Sequence, residues 1–536
     1  MNQTLSRLFY LTCIALLMLP FLIFTLGWLP LAVSVPVVLL CCGSLWWWLR
    51  KAEFPEIPFM ENRRTLVFAA LLTACWVFAS GIGGYAYQNY DHYYRNAVLF
   101  DLTLHDWPVV FPEDGTTLVY YFGFFLLPAL GGKAVLMAGA VPETAVSAAY
   151  FVSFVQAFLA VFATYVLLSQ RLGRFSLWPL VFFIGFSGLD FIPYLIFHRP
   201  VVETPEMATV WGKIAACFGP RNAPHLEWFT HPWLNSSMTG LLFWVFNQSV
   251  PFLLALMLFL TLRDWPVFSL AFVLLSMLFL TLRDWRGVLL IYAVLFLSAP
   301  FPALGLFPVM VWRLLKDAEF RLPAALRTVC TPANLLSIPV VLIIAHFYSG
   351  NLSSGHSQFF FPATAHEWTL FTVYFLTEFG VWLLCVGRKW SAELGICLAV
   401  LGVTSFFKLG GGADFAMRTA IPCFTFLMLA VLQTWYAAET PRWRRVLIIC
   451  VFLIGALTPL MEFKRCAGNT ILTYVGVLRG SETVAFAAGP ECVDRNEPRY
   501  YIRDERLPSV HDLLDRDDPC AGNFLGDTTA PGSTQR

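Results

Sequence analysis

The chain has 536 residues, 58% of them hydrophobic and only 13% charged, with a mean hydropathy of +0.67. Soluble domains carry about 25% charged residues, so this composition argues against an ordinary soluble globule. The formal net charge of +1 offers no basic field for nucleic acid, and the thirteen cysteines show no CxxC or Cys/His spacing of a zinc site.

Long apolar runs recur from the first residues to about 460, which predicts an all-α polytopic membrane protein. The expected spans are 9–29, 31–49, 65–86, 145–168, 175–197 and 239–262, then 333–350, 367–386, 391–408, 419–437 and 446–461. The stretch 266–312 is read as two further crossings, for a total of about 13 transmembrane helices. The first run passes into the second without a small-residue cleavage site, so no cleavable signal peptide is expected. Arg50, Lys51, Arg63, Arg64, Arg171, Arg174, Arg313, Lys316, Arg321, Arg388, Lys389, Arg442, Arg444 and Arg445 fall on one side if the N-terminus is cytoplasmic.

That orientation divides the chain into a transmembrane domain, 1–462, and an extracytoplasmic tail, 463–536. Outer loops are expected at about 87–144, 198–236, 351–366 and 409–418. Within the first of them, 116–133 is apolar and aromatic, but parity leaves no room for it to cross alone. An amphipathic helix lying at the outer interface is expected there. The tail permits a Cys492–Cys520 disulfide and its last ten residues have a disordered composition. MLFLTLRDW occurs at 257–265 and again at 277–285, a short tandem duplication with no evident chemistry.

Asp91 carries the most information. It lies in NYDHYYRNAVLFDLTLHDW, directly after an apolar run, among Tyr90, His92, Arg95 and Asn96. Ionisable groups at a membrane edge are costly and tend to be functional. A carboxylate there can take the proton of an acceptor hydroxyl as a glycosidic bond forms. Asp101 and Asp106 are alternative bases in the same segment, and a merely solvated aspartate is the bland alternative. In GGGADFAMRTAIP, Asp414 and Arg418 are four apart at the start of a span, so they share a helix face and can pair. An outward Arg beside a glycine run suits a phosphate held at the membrane surface; a simple interfacial ion pair is the alternative.

HLEWFTHPWLNSSMTGLLFWVFNQSVP, residues 225–251, is dense in aromatic and polar groups where a span begins. Trp228, Trp233 and Trp244 could stack on sugar faces, although an interfacial aromatic belt explains them as well. His225, Glu227, Asn247 and Gln248 are candidate substrate contacts, because polar groups at membrane depth need partners. Asp190, in GFSGLDFIPY, and Glu378, in FLTEFG, should face the bundle interior; each suits a site or a structural pair. Lys408 and His356 are expected at the interface.

In this order the aspartate after an early span, the YYFGFFLLPAL segment, the SGLD span, and the HLEWF…FWVFNQSVP and DFAMR–IP blocks resemble integral-membrane glycosyltransferases of the GT-C fold. The likeness covers residues 60 to about 460. It implies a helical bundle with large extracytoplasmic loops that moves a sugar from a polyprenyl-phosphate or pyrophosphate carrier to an acceptor outside a bacterial inner membrane. The first-loop aspartate would be Asp91 and the carrier-phosphate arginine Arg418. The chain departs from the pattern at Tyr94–Arg95, where a Lys-His pair is expected, and at Ser249, where a histidine is. No cofactor is called for, although some members hold a divalent metal between paired acids, and here Asp91 with Asp190 or Glu227 could supply those. The partners expected are the lipid-linked donor, membrane lipid and an acceptor, with no nucleic acid. A surface-polysaccharide polymerase or ligase, a transporter or flippase, and a non-catalytic assembly subunit are the competing readings.

Overall fold

The computed structural model describes residues 1–50, 52, 54–111, 116–197, 209–219, 224–230, 233–263, 285, 287–350, 357–387, 390–409, 414–474 and 525–527. The second copy of the duplication up to residue 284, the Cys492–Cys520 pair, His356 and residues 528–536 lie outside them.

The described chain is mostly helical. Helices Asn2–Trp28, Leu31–Leu49, Pro142–Leu172, Ala365–Val386 and Arg442–Ile471 are long and apolar enough to cross a membrane. Leu322–Val329 and Pro332–Tyr348, bent by 88° at their junction, make a sixth if they count as one span. Gly123–Met137, Phe246–Leu262, Ala392–Thr404 and Ile421–Tyr436 are apolar but shorter. The multi-pass character therefore stands among the described residues, while the expected number of crossings is larger than the number of helices that pass alone.

Part of the shortfall is physical, because two expected spans are broken. Residues 175–197 form Leu177–Gly185 and Phe191–Phe197. Pro193 has no N–H to return to residue 189, which favours a break just before it. The freed backbone of the break is satisfied by neighbouring protein. Met238 N–H donates to Phe186 O at 3.0 Å, and Leu189 N–H to Thr377 O at 3.0 Å. The Trp382 indole donates to Ser187 O at 2.8 Å. Irregular backbone at membrane depth survives only with such partners. Residues 239–262 likewise divide into Met238–Trp244 and Phe246–Arg263.

Residues 116–133 differ from the flat interfacial helix expected. Thr116–Leu118 is a strand, and Gly123–Met137 is a helix whose Gly123, Phe124, Phe125 and Leu126 are all buried. It packs on Pro142–Leu172 and Tyr90–Leu104. Gly132 allows this contact: a Cβ there would meet Thr103 Cγ2 at 2.6 Å and Ala145 O at 2.7 Å. Small residues at such a crossing let helix backbones approach.

Short strands tie the loops together. Thr116–Leu118 pairs antiparallel with Val110–Phe111 and with Leu525–Asp527 of the tail. The tail thus pairs with the first polar loop. Ser357–Phe359 pairs with Phe407–Leu409, which brings the 351–366 and 409–418 segments together.

Candidate functional site

Asp91 lies in the first turn of helix Tyr90–Leu104. Its Oδ2 accepts a hydrogen bond from Arg95 Nη2 at 2.9 Å; the arginine side chain is 4% exposed and the aspartate 36%. Arg95 lies over the Phe246 ring, 5.4 Å from its centroid. Its Nε and Nη1 are buried with no hydrogen-bond partner among the described residues. The guanidinium is thus a buried foundation, and the carboxylate is the part that looks outward.

His92 and Asn96, expected beside Asp91, are turned into the protein. His92 stacks on Phe246 at 5.1 Å, with Nε2 3.1 Å from Ser80 O. Burial, and then the charge of Arg95, pull its imidazole down to about 3, which keeps the ring neutral. Asn96 Nδ2 donates to Gln88 Oε1 at 2.8 Å. Asp101 is fully buried, with Oδ1 3.4 Å from His105 Nδ1, so it is not open to an acceptor.

Arg418 repeats the Asp91 arrangement on helix Asp414–Thr419. Nη2 donates to Asp414 Oδ2 at 2.7 Å; the arginine is 6% exposed and the aspartate 51%. The i, i+4 pairing expected from the sequence is therefore present. Nη1 donates to the Tyr121 hydroxyl at 2.5 Å, across 297 residues of sequence. The guanidinium also lies over the rings of Tyr121, at 5.4 Å, and Phe301, at 6.0 Å. Burial disfavours its charge, but Asp414 and then the tyrosine hydroxyls outweigh that and raise its proton affinity further.

A tyrosine doublet lies beside Arg418. Tyr120 and Tyr121 have ring centroids 3.9 Å apart. Buried Tyr120 lies within electrostatic range of both Arg95 and Arg418. Tyr121 went unnoticed in the sequence. Its one signal was the YY doublet that opens the aromatic segment, and nothing local indicated a partner at 418.

A small apolar cavity of about 20 Å³, room for one water, lies between Phe246–Arg263, Val288–Leu295 and Pro300–Asp317, with Leu258, Ile291, Leu306 and Met310 among its walls. Phe301, which touches Arg418, begins the last of these helices. At 1.5 Å per residue, Leu306 and Met310 lie about 8 and 14 Å further along it.

Other expected site residues gather around the 186–190 break. Asp190 Oδ2 accepts from Ser187 Oγ at 3.0 Å and Thr458 Oγ1 at 2.8 Å. Glu378, in a π-helical turn at Leu376–Gly380, accepts from Asn235 Nδ2 at 3.0 Å. Glu227 accepts from the Ser237 backbone and hydroxyl, each at 2.8 Å. Burial, then Asp190 and Glu462, push its carboxyl up to about 8. Glu462 accepts from Arg465 Nη1 at 2.7 Å and Trp244 Nε1 at 3.0 Å, with His225 Nδ1 3.6 Å away. His225 stacks on Trp228 at 4.7 Å. Trp233 is 1% exposed and donates to Ser405 O at 3.1 Å, so it is packed inside. Among the described residues, no three His, Cys, Asp or Glu side chains are placed to hold a metal ion. Asn247 and Gln248 are fully buried, and none of their side-chain amide atoms has a partner among the described residues. Lys408 lies over the Phe360 ring at 4.6 Å.

Set against family models, curated proteins and solved structures, the chain matches none.

Proposed function

We propose that the protein transfers a sugar from a polyprenyl-phosphate or pyrophosphate carrier to an acceptor on the extracytoplasmic side. The observation that carries this reading is the pair of like arrangements, Asp91–Arg95 and Asp414–Arg418, each a half-exposed carboxylate on a buried arginine, with both arginines within electrostatic range of buried Tyr120.

In this reading the acceptor hydroxyl gives its proton to Asp91, the more open member of its pair. The acceptor oxygen bonds to the anomeric carbon as the bond from that carbon to the carrier oxygen breaks. The carrier leaves as a phosphate anion, and one in-line displacement inverts the anomeric centre. Arg95 holds the base in place from below, which favours a near-attack geometry. Arg418 and the Tyr121 hydroxyl supply positive charge and a donor to the leaving phosphate, with Asp414 free to swing aside. The test is transfer by purified protein from a polyprenyl-phosphate sugar, with Asp91→Asn as the control. No transfer by the unaltered protein from phosphate or pyrophosphate donors would overturn the reading.

The broken span at 186–190, beside a π-helical turn that carries buried Glu378, favours a second reading as a transporter. Discontinuous helices and carboxylates inside a bundle belong to such proteins. Substrate counterflow in vesicles without chemical turnover would favour it over transfer.

A further inference from the structure

The corner between helices Pro300–Asp317 and Leu322–Val329 plays no part in the site above, yet it is built at a cost. Glu319 and Phe320 both have positive φ, 51° and 57°, which residues with a Cβ seldom adopt. Three hydrogen bonds close the turn: Glu319 N to Lys316 O at 3.1 Å, Phe320 N to Leu315 O at 2.7 Å and Arg321 N to Ala318 O at 2.9 Å. Glycine would form this turn without strain, so the side chains held there have something to do.

The turn directs Phe320 outward, 59% exposed, with the Trp312 ring 5.3 Å away. The next helix continues the same surface. Leu322 and Leu326 are four apart and 63% and 54% exposed, while Ala325 faces inward at 3%. Arg321 and Arg327 flank that leucine ridge at helical spacing, and residues 320–331, FRLPAALRTVCT, contain no acid. Arg321 has only a loose contact with the equally exposed Glu319, at 3.9 Å. The helix then meets Pro332–Tyr348 at 88°. Asn334 pins that junction, accepting from Gly287 N–H at 3.0 Å and donating to Trp285 O at 2.8 Å. If Pro332–Tyr348 runs across the bilayer, Leu322–Val329 lies in its plane.

We infer that Phe320–Val329 is an in-plane wedge that seats in the membrane interface and binds anionic lipid headgroups through Arg321 and Arg327. Apolar side chains sink to the acyl boundary while flanking arginines stay at phosphate level. The Lys/Arg asymmetry of the loops assigns this corner to the cytoplasmic face, where anionic lipids make the surface potential negative. The inference does not depend on the sugar-transfer reading.

The experiment uses the full chain in phosphatidylcholine nanodiscs, with a spin label at Leu326→Cys and the exposed Cys42, Cys75, Cys330 and Cys450, with the tail cysteines, changed to serine. The label is expected to be more accessible to oxygen than to a water-soluble nickel chelate. Added phosphatidylglycerol should immobilise it. Each arginine near a charged surface contributes roughly five-fold to such binding, so Arg321→Gln/Arg327→Gln should raise the half-saturating phosphatidylglycerol fraction about ten-fold or more. Arg321→Lys/Arg327→Lys should keep the response, which guards against a fold defect in the Gln pair. A water-exposed label overturns the inference. So does a Gln pair that responds like the parent, or a response abolished by inorganic phosphate at matched ionic strength, since the last would mark a free-phosphate site.

Discussion

Asp91→Asn separates chemistry from scaffold, because the structure gives the two effects different sizes. The substitution keeps side-chain shape and leaves Oδ1 to accept from Arg95 Nη2, now without charge. A hydrogen bond to a charged group contributes about 1.5–3 kcal/mol and a neutral one about 1 kcal/mol, so the local loss is about 1–2 kcal/mol. Stripping a partner from a buried ion pair can cost about 3–5 kcal/mol, but Asp91 is 36% exposed and water can replace part of its field. Arg95 also keeps its contact with the Phe246 ring. A loss of 1–2 kcal/mol leaves a domain folded when its total stability is about 5–15 kcal/mol. A general base, in contrast, is worth about 10²–10⁴ in rate, and the loss should fall on kcat more than KM. The assay is sugar transfer from a polyprenyl-phosphate sugar by purified protein, run beside thermal unfolding of the same preparation. A variant with parental kcat refutes the base assignment. A variant whose activity falls only as far as its folded fraction makes Asp91 a scaffold residue.

Further outcomes are expected at other positions. Arg418→Ala should raise KM for the lipid-linked donor, with partial recovery in Arg418→Lys, because lysine cannot bridge Asp414 and Tyr121 as a planar fork does; steady-state kinetics decide it. Tyr121→Phe should weaken donor binding about ten-fold through loss of a charge-assisted bond, measured by donor titration. Gly305→Ala should disturb the Arg418 helix, because its Cβ would collide with Thr419 O; a lowered unfolding temperature checks this. Glu227 has a folded pKa of about 8, above its ordinary 4.5. Its stabilising contribution is then full below pH 4.5, declines as the unfolded carboxyl ionises, and levels off above about pH 8. Glu227→Gln should flatten that decline in unfolding temperature between those limits. Cysteines placed at residues 117 and 526 should be labelled from the same side of the membrane, which the paired strands Thr116–Leu118 and Leu525–Asp527 require.

Spacing rules captured what local geometry controls. Asp414 and Arg418 are four apart, and they pair at 2.7 Å. Apolar runs located most of the helices, including Pro142–Leu172 and Ile421–Tyr436. Hydropathy misses whether an apolar run crosses in one piece. The 186–190 break lies inside a continuous apolar run, and it exists because Thr377, Trp382 and Met238 complete its hydrogen bonds. Those partners lie far away in the chain. The same limit hid Tyr121, whose significance comes from Arg418, and it hid the grouping of Asp190, Glu227, Glu378 and Glu462. Sequence marked Asp190, Glu227 and Glu378 as costly, but only packing showed that they stand around one helix break.

The orientation of the charges bears most on mechanism. A phosphate-binding arginine was expected to face outward, yet Arg95 and Arg418 are the buried members of their pairs, and the carboxylates are the exposed ones. A guanidinium at 6% exposure, with one nitrogen on Asp414 and another on Tyr121, offers an incoming anion little surface. In the proposed reading the group that reaches the carrier phosphate first is the Tyr121 hydroxyl. Its oxygen accepts from Arg418, so its proton points elsewhere, and the cation behind it strengthens it as a donor. Asp91 has a comparable advantage. Fixed from below by Arg95, it can meet an acceptor hydroxyl with little rearrangement, which is what a positioned base needs. In the proposed reading the aspartates and the tyrosine meet the ligand first, while the arginines hold them in register and lend their charge from behind.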